Sequence, residues 1–232
     1  MSDAALLLFL LPLLLVIWAQ RRMTRAYARA AAQPARTRLT GRDAARIILH
    51  ASRIRDVEII AVGGALTDYY DPTRRRLALS VSNYSGTNLA ALAISAHEAG
   101  HAIQQRIGSG LIEFRQFFAL VAQLGAPLGY LLAGIGFVVG SPPLLIGGAA
   151  ALGVVAAVQL ATLPVELDAS QRAMTALVQL GIISRDELPA VNALLSAALV
   201  VYFAAFASFI GPLVDLVLRC FDSRRPVSGS RS

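Results

Sequence analysis

The chain has 232 residues, of which 56% are hydrophobic and 15% are charged. Soluble domains carry about 25% charged residues, so this composition excludes an ordinary soluble protein and indicates long apolar segments. The net charge of +7 suits the anionic headgroups of a lipid bilayer. Because no DNA- or RNA-binding motif accompanies the scattered arginines, we expect no nucleic-acid partner. The single cysteine, Cys220, excludes an intrachain disulfide and a zinc site built from cysteines.

The first apolar segment opens the chain, where residues Ala4 to Trp18 are almost wholly apolar and several arginines follow. A cleaved signal peptide carries its positive charge before the apolar core, whereas here the charge comes after it. The order therefore predicts a transmembrane signal anchor over residues 1–19, with its N-terminus outside and the next segment in the cytoplasm.

The next stretch, residues 20–116, is the one polar region long enough to form a small water-facing domain. Patterns typical of helices and of strands both occur in it: a helix that begins near Thr40, strands at Val57–Val62 and Leu77–Val81, and a long helix from Asn88 to Gly108. These patterns predict a small α+β domain.

Three further apolar segments follow, at Phe117–Val139, Leu144–Leu163 and Val191–Leu218. They predict four regions in chain order: a transmembrane helical hairpin over 117–163, a polar cytoplasmic segment over 164–190, a C-terminal transmembrane or re-entrant helix over 191–219, and a disordered tail over 220–232. A re-entrant helix would bend at Pro212. The expected fold class is therefore a mainly α integral membrane protein with about four transmembrane helices.

The number of spans also predicts the side of the membrane on which each polar region lies. With the N-terminus outside, residues 20–116 and 164–190 both face the cytoplasm. The two regions can therefore contribute to one site on the cytoplasmic face of a multi-pass membrane protein.

The chemistry is concentrated in His97-Glu98-Ala99-Gly100-His101, which lies on the predicted long helix. Two histidines four positions apart present both imidazoles on one helix face, where they can bind one metal ion. Glu98 can then take a proton from metal-bound water and deliver it to a leaving amine. Imidazole ligands suit Zn2+, so this HExxH motif predicts a zinc-dependent peptide hydrolase with a zincin-like domain. The alternative is an amphipathic helix that buries one histidine in a core.

A catalytic zinc ion usually needs a third protein ligand and an open position for water. The only other histidine, His50, ends an amphipathic helix and is interpreted as a polar cap, so we expect a carboxylate. Glu166 is the best candidate because it begins the predicted cytoplasmic segment after a span. A compatible alternative is that Pro164 starts a helix and Glu166 interacts favourably with the helix dipole.

Three more polar residues are candidates for supporting the metal ligands. Asp68 could orient a zinc-binding histidine by accepting a hydrogen bond from its second ring nitrogen. Asp168 and Ser170 lie within about one turn of Glu166, and Ser170 shares the helix face of Glu166 better. For Asp168 and Ser170 the alternative is simple solvation at the surface.

Four stretches spread over nearly the whole chain carry a family resemblance: Leu66–Pro72, Leu79–Ser80, Ser95–Gln104 and Leu163–Ser170. They resemble the YugP-type membrane zinc metallopeptidases, which belong with the HExxH-plus-Glu membrane proteases. The resemblance implies zinc as the cofactor, Glu166 as the third ligand beside His97 and His101, and a location in the bacterial inner membrane. At Tyr70 the chain departs from the family pattern, in which histidine is frequent.

The leading hypothesis is a zinc-dependent endopeptidase that hydrolyses membrane or membrane-proximal proteins, with Glu98 activating zinc-bound water. The alternative is a non-catalytic membrane scaffold or binding protein with a structural zinc, although such a site has no need of a base. The hypothesis of a pore or transporter is weaker, because the apolar segments contain almost no ionisable residue except Asp215. The expected partners are the lipid bilayer and a protein or peptide substrate. The sequence does not indicate which oligomeric state the protein has.

Overall fold

The computed structural model describes residues 3–108 and 110–222. The described chain is mainly helical and contains one small sheet. Its helices are α1 (Asp3–Ala31), α2 (Gly41–Ala51), α3 (Val81–Ser85), α4 (Leu89–Arg106), α5 (Leu111–Val139), α6 (Pro142–Gln179) and α7 (Leu188–Asp222), and its strands are β1 (Glu58–Val62), β2 (Tyr69–Asp71) and β3 (Arg76–Ser80).

The three strands form one mixed sheet in the order β1-β3-β2. Strands β1 and β3 are parallel, with Ile60 opposite Ala78, whereas β2 pairs with β3 in the antiparallel sense, with Tyr70 opposite Leu77. The two predicted strands are confirmed as β1 and β3. The sequence pattern does not predict β2, because three residues are too few to show an alternation of apolar and polar side chains.

Both predicted helices of this polar region are confirmed, and each begins at a capping residue. The Thr40 hydroxyl accepts a hydrogen bond from the Asp43 N–H at 3.1 Å, and the Asp43 carboxylate accepts one from the Thr40 N–H, so the pair forms a capping box on α2. Asn88 caps α4, because its side-chain oxygen accepts a hydrogen bond from the Ala91 N–H at 2.9 Å. This cap fixes the start of the helix that carries both histidines.

Helix α4 passes through a hydrophobic core that also holds parts of α6 and α7. Buried side chains of the cluster come from α2, β3, α4, α6 and α7: Ile48, Leu77, Leu79, Leu92, Leu177 and Leu194. Burial of each such side chain stabilises the fold by about 1.5–3 kcal/mol. The core therefore holds α4 and the later part of α6 in one compact unit.

The described chain divides into two compact units. One unit comprises Ala19–Gln116 and Thr162–Val201 and contains the sheet with α2, α3 and α4. The other comprises the described parts of residues 1–18, 117–161 and 202–232, and it has a smaller core cluster formed by Leu145, Ala149 and Leu152. The membrane and cytoplasmic roles of these regions stay predictions.

Two of the described helices are long and apolar enough to cross a membrane, Pro142–Gln179 and Leu188–Asp215. The segment Gln123–Val139 is apolar but shorter. Among the described residues, two of the four predicted spans therefore meet both the length and the composition requirement.

Helix α6 runs without a break from Pro142 to Gln179. The expectation that Pro164 starts a helix is therefore wrong, because Pro164 lies inside α6. An internal proline removes one backbone hydrogen bond, and strongly apolar helices tolerate this loss. Much of the predicted segment 164–190 is thus a continuation of the helix that precedes it.

Helix α7 likewise continues through Gly211 and Pro212 and ends at Asp222. The bend that a re-entrant segment requires does not interrupt the helix at Pro212. Residues 220–222 are helical rather than part of a disordered tail. The remainder of the predicted tail, residues 223–232, lies outside the described residues.

Candidate metal centre

Helix α4 brings the imidazole rings of His97 and His101 together. Their ring centroids are 4.8 Å apart and the ring planes are nearly perpendicular, at 83°. His101 is fully buried, and the intervening Glu98 is also buried, with 8% of its surface exposed. The one-turn spacing of the motif therefore produces the expected pair of neighbouring imidazoles.

Helix α6 brings Glu166 to this histidine pair. Its Oε2 atom lies 3.2 Å from Nε2 of His97 and 3.8 Å from Nε2 of His101. Glu166 is 1% exposed, and a carboxylate is stable in a protein interior when it is paired with a cationic group or a metal ion. The three side chains offer ligand atoms that all lie within 4.8 Å of one another, so they could hold a metal ion.

A glycine inside the motif allows α6 to approach α4 this closely. A Cβ atom built on Gly100 would lie 2.6 Å from the backbone oxygen of Ala169. Any other residue at position 100 would meet backbone atoms, which cannot rotate away as a side chain can. Gly100 therefore sets the separation of the helices that carry the two histidines and Glu166.

The supporting residue Ser170 lies on α6, one turn after Glu166. Its hydroxyl oxygen is 3.2 Å from Nδ1 of His97, the ring nitrogen on the other side from Nε2, which faces Glu166. Glu166 and Ser170 therefore both contact His97 from α6, as their four-residue spacing predicts.

Asp168 reaches His101 indirectly, through the side chain of Gln104. Gln104 is fully buried on α4, and its Oε1 atom lies 2.9 Å from Nδ1 of His101. Its Nε2 donates hydrogen bonds to the Val165 carbonyl oxygen and to Oδ2 of Asp168, both at 2.8 Å. The same Asp168 oxygen accepts a hydrogen bond from Nε of Arg172 at 2.7 Å.

Asp68 does not make the expected contact with a zinc-binding histidine. Its Oδ1 atom accepts a hydrogen bond from the Ser80 N–H at 2.8 Å, and its Oδ2 accepts one from the Asn83 amide at 2.9 Å. Asp68 thus joins the end of β3 to α3, because these elements bring their donors to its carboxylate. His50 is exposed in the last turn of α2 and does not belong to the candidate metal group.

Residues 5–220 match the model of a family described as "Putative neutral zinc metallopeptidase". The chain belongs to this family. It is also similar to a Bacillus subtilis (strain 168) protein named "Putative membrane protease YugP", with 34% identity over 210 residues that cover 90% of this chain and 93% of the relative. No solved structure matches the chain. The family resemblance read from the sequence is confirmed.

The cofactor of this zinc metallopeptidase family fits the side chains that converge at the site. Two imidazoles and one glutamate are a ligand set of catalytic zinc sites. Two ligand atoms about 2.0–2.2 Å from one tetrahedral zinc ion lie about 3.3 Å apart. The separations of Glu166 Oε2 from the two histidine nitrogens, 3.2 and 3.8 Å, are close to that value.

Two residues of the centre were not singled out by the sequence analysis. Gln104 lies three residues after His101 and therefore on a neighbouring part of the same helix face, which is the signal that could have identified it. Gly100 is visible in the motif, but its role depends on the approach of Ala169, which no local pattern reveals.

Proposed function

We propose that the chain is a zinc-dependent membrane endopeptidase in which His97, His101 and Glu166 hold the zinc ion and Glu98 is the general base. The observation that carries this proposal is the convergence of buried Glu166 on the two histidines of the HExxH motif. Membership of a zinc metallopeptidase family supports the same function. A structural zinc in a non-catalytic scaffold has no use for a glutamate beside the first histidine.

Zinc, when bound, supplies Lewis-acid chemistry that polarises the scissile carbonyl group and makes water more acidic. His97 and His101 would hold the ion as neutral imidazoles, and Glu166 would contribute one negative charge. The Glu98 carboxylate accepts a proton from the attacking water and then donates it to the amine nitrogen of the leaving group. One water molecule is consumed as the peptide bond is cleaved to a carboxylate and an ammonium group.

The proposed substrates are membrane or membrane-proximal proteins, because Glu166 lies on a helix that is itself a candidate span. The 38-residue α6 is about 57 Å long at about 1.5 Å per residue, whereas the hydrocarbon core of a bilayer is about 30 Å thick. Glu166 lies about 36 Å beyond Pro142 along this helix. A span that begins at Pro142 would therefore end within about two helical turns of Glu166.

We further propose that the chain has four membrane spans, formed by the apolar stretches of α1, α5, α6 and α7, and a zincin-like unit on the cytoplasmic side. The arginines that follow Trp18 support this orientation by the positive-inside tendency. The mixed sheet that precedes the motif helix α4 supports the zincin-like assignment. The name of the Bacillus subtilis relative, "Putative membrane protease YugP", supports the membrane location.

The test compares the full-length wild type with Glu98→Gln, both purified in detergent and loaded with zinc. Zinc content is measured by elemental analysis, and cleavage is measured on casein-derived peptides and on single-span reporter proteins in liposomes. We expect Glu98→Gln to keep its zinc and to lose cleavage by at least about 100-fold, because general acid–base catalysis contributes about that much or more.

The matched control is Glu58→Gln, since Glu58 is an exposed residue of β1 that pairs with Arg76. It should cleave like the wild type. Cleavage by Glu98→Gln at the wild-type rate would overturn the assignment of the base. Stoichiometric zinc in a wild type that cleaves no substrate would favour the non-catalytic scaffold.

A further inference from the structure

The side chain of Gln104 is the central link of a hydrogen-bonded chain that runs from His101 to Arg172. Gln104 is 0% exposed, and burying an amide is unfavourable unless its polar atoms are hydrogen-bonded. Its partners include a ring nitrogen of His101, a backbone oxygen of α6 and the Asp168 carboxylate. The amide is therefore held between α4 and α6 rather than left to rotate.

The chemistry of these partners decides which end of the amide faces which group. The Val165 carbonyl can only accept a hydrogen bond, and Asp168, which pairs with Arg172, also accepts. The NH2 group of Gln104 must therefore face both of them, each at 2.8 Å. The amide oxygen is left facing Nδ1 of His101 at 2.9 Å.

This orientation fixes the proton on the imidazole ring of His101. An amide oxygen can only accept a hydrogen bond, so Nδ1 of His101 must carry the ring proton. A neutral imidazole has one such proton, which leaves Nε2 with a free lone pair. Nε2 is the atom that faces Glu166, at 3.8 Å, and a metal ligand has to present that lone pair.

We infer that Gln104 is a positioning residue of the metal centre, which holds His101 in its Nδ1–H form so that Nε2 is available to zinc. The inference rests on the proposed function of the site. The same amide binds the backbone of Val165, the residue before Glu166. Gln104 thus links the orientation of the His101 ring to the position of Glu166.

The ring of His97 is held by a hydroxyl group rather than by an amide. Ser170 therefore determines the ring proton of His97 less strictly than Gln104 determines that of His101. Nδ1 of His97 lies 3.2 Å from the hydroxyl oxygen of Ser170. A hydroxyl group can donate or accept a hydrogen bond, so Ser170 does not by itself decide which nitrogen of His97 carries the proton.

The test compares Gln104→Met with Gln105→Met in the full-length protein in detergent. Methionine keeps the size of glutamine but makes no such hydrogen bonds. Gln105 is the matched control, because it is the next residue of α4 and its side chain bonds to Tyr70 and to the Pro72 carbonyl, not to a histidine. Competition with a chelator should show zinc binding about 10–100-fold weaker in Gln104→Met, the usual effect of losing such a partner, and unchanged binding in Gln105→Met.

A second measurement reports on the ring proton itself. In the cobalt(II)-substituted wild type, proton NMR should show a paramagnetically shifted Nδ1–H resonance of His101 that exchanges slowly with deuterated water. Gln104→Met should lose this protection while the protein stays folded. A residue that only filled space in the core would not change the exchange of this proton.

If Gln104→Met does not fold, Asp168→Ala tests the inference instead. Asp168 is one-third exposed, and its removal leaves the Val165 carbonyl as an acceptor for the Gln104 amide. Asp168→Ala should weaken zinc binding in the same direction but by less. Unchanged zinc affinity and unchanged proton exchange in the folded variant would overturn the inference. A wild type that binds no zinc would instead overturn the proposed function.

Discussion

Nε2 of His97 lies 3.2 Å from Oε2 of Glu166, although 69 residues separate them along the chain. The contact joins α4 to α6 and puts a buried carboxylate beside a pair of imidazoles. A metal ion held by the three groups would compensate the burial of that carboxylate. The position of α6 relative to α4 is therefore as important to the proposed activity as the HExxH motif itself.

Replacement of Glu166 by Gln tests the third ligand with little change in the size of the side chain. We expect the affinity for zinc to fall by at least about 100-fold, which is the upper end of the effect of losing an outer-shell partner. Chelator competition measures the change, with Glu58→Gln as the exposed control. Wild-type affinity in Glu166→Gln would mean that zinc is held without this carboxylate.

Gly100→Ala tests the close packing of the two helices. The added Cβ atom would lie 2.6 Å from the Ala169 oxygen, so we expect a loss of about 1–3 kcal/mol in the free energy of unfolding and weaker zinc binding as α6 moves away. Denaturant unfolding and chelator competition measure the two effects.

The matched control for Gly100→Ala is Gly134→Ala, another helical glycine, which has open space where its Cβ atom would go. That change should leave zinc binding intact and stabilise the helix by about 0.5–1 kcal/mol. Equal stability of Gly100→Ala and the wild type would contradict the close approach at Ala169.

Ser170→Ala removes the hydroxyl that contacts Nδ1 of His97. We expect zinc affinity to fall by about 10-fold, because His97 loses the partner that orients its ring, while the unfolding temperature without zinc changes little. Ser196→Ala is the control, since the Ser196 hydroxyl bonds to Asn192 on the exposed side of α7 rather than to a histidine. A Ser170→Ala variant with the zinc affinity of Ser196→Ala would show that the contact does not orient the ring.

Glu187 connects the loop before α7 to the segment after α1, and we expect it to make the stability of the fold depend on pH. Burial raises the pKa of its carboxyl, but hydrogen bonds from Ser184 and from the Arg36 N–H, with the Arg36 charge, outweigh this and lower the pKa overall. A lowered pKa in the folded state stabilises the protein above the ordinary carboxyl range, and this contribution is lost as the pH falls through the folded-state pKa.

Glu187→Gln should therefore be destabilised by about 1–3 kcal/mol at neutral pH, because the partly buried hydrogen bonds from Ser184 and Arg36 lose their charged acceptor. The difference in unfolding free energy between Glu187→Gln and the wild type should become smaller in acid, once the wild-type carboxyl is protonated. Thermal unfolding between about pH 7 and about pH 2 measures both quantities, because the folded-state carboxyl titrates below its ordinary range. A stability difference that stays constant over this pH range would show that the charge of Glu187 does not contribute to stability.

The parts of the site that lie close together in the sequence could be predicted from it. His97 and His101 are one helical turn apart, and the Asn88 cap that starts their helix is a local signal. The spacing of Glu166 and Ser170 on one helix likewise predicts their shared face.

The parts that depend on packing between distant elements could not be predicted from local patterns. Glu166 was a candidate ligand because it follows a predicted span, and the family resemblance supported it, but nothing near it in sequence indicates that α6 packs on α4. Asp68 was expected to contact a histidine, but it accepts hydrogen bonds from β3 and α3 instead. Pro164 resembled a helix start, yet α6 continues through it because the helix is already established on its N-terminal side.

The separation of the ligands along the chain also has a thermodynamic consequence. A metal ion that joins residues on α4 and α6 acts as a reversible cross-link, which can close only when the two helices are folded together. Zinc at about 100 times its dissociation constant would then stabilise the fold by about 2.7 kcal/mol. The lifetime of the protein in a cell would therefore depend on the free zinc around it, without any change in its sequence.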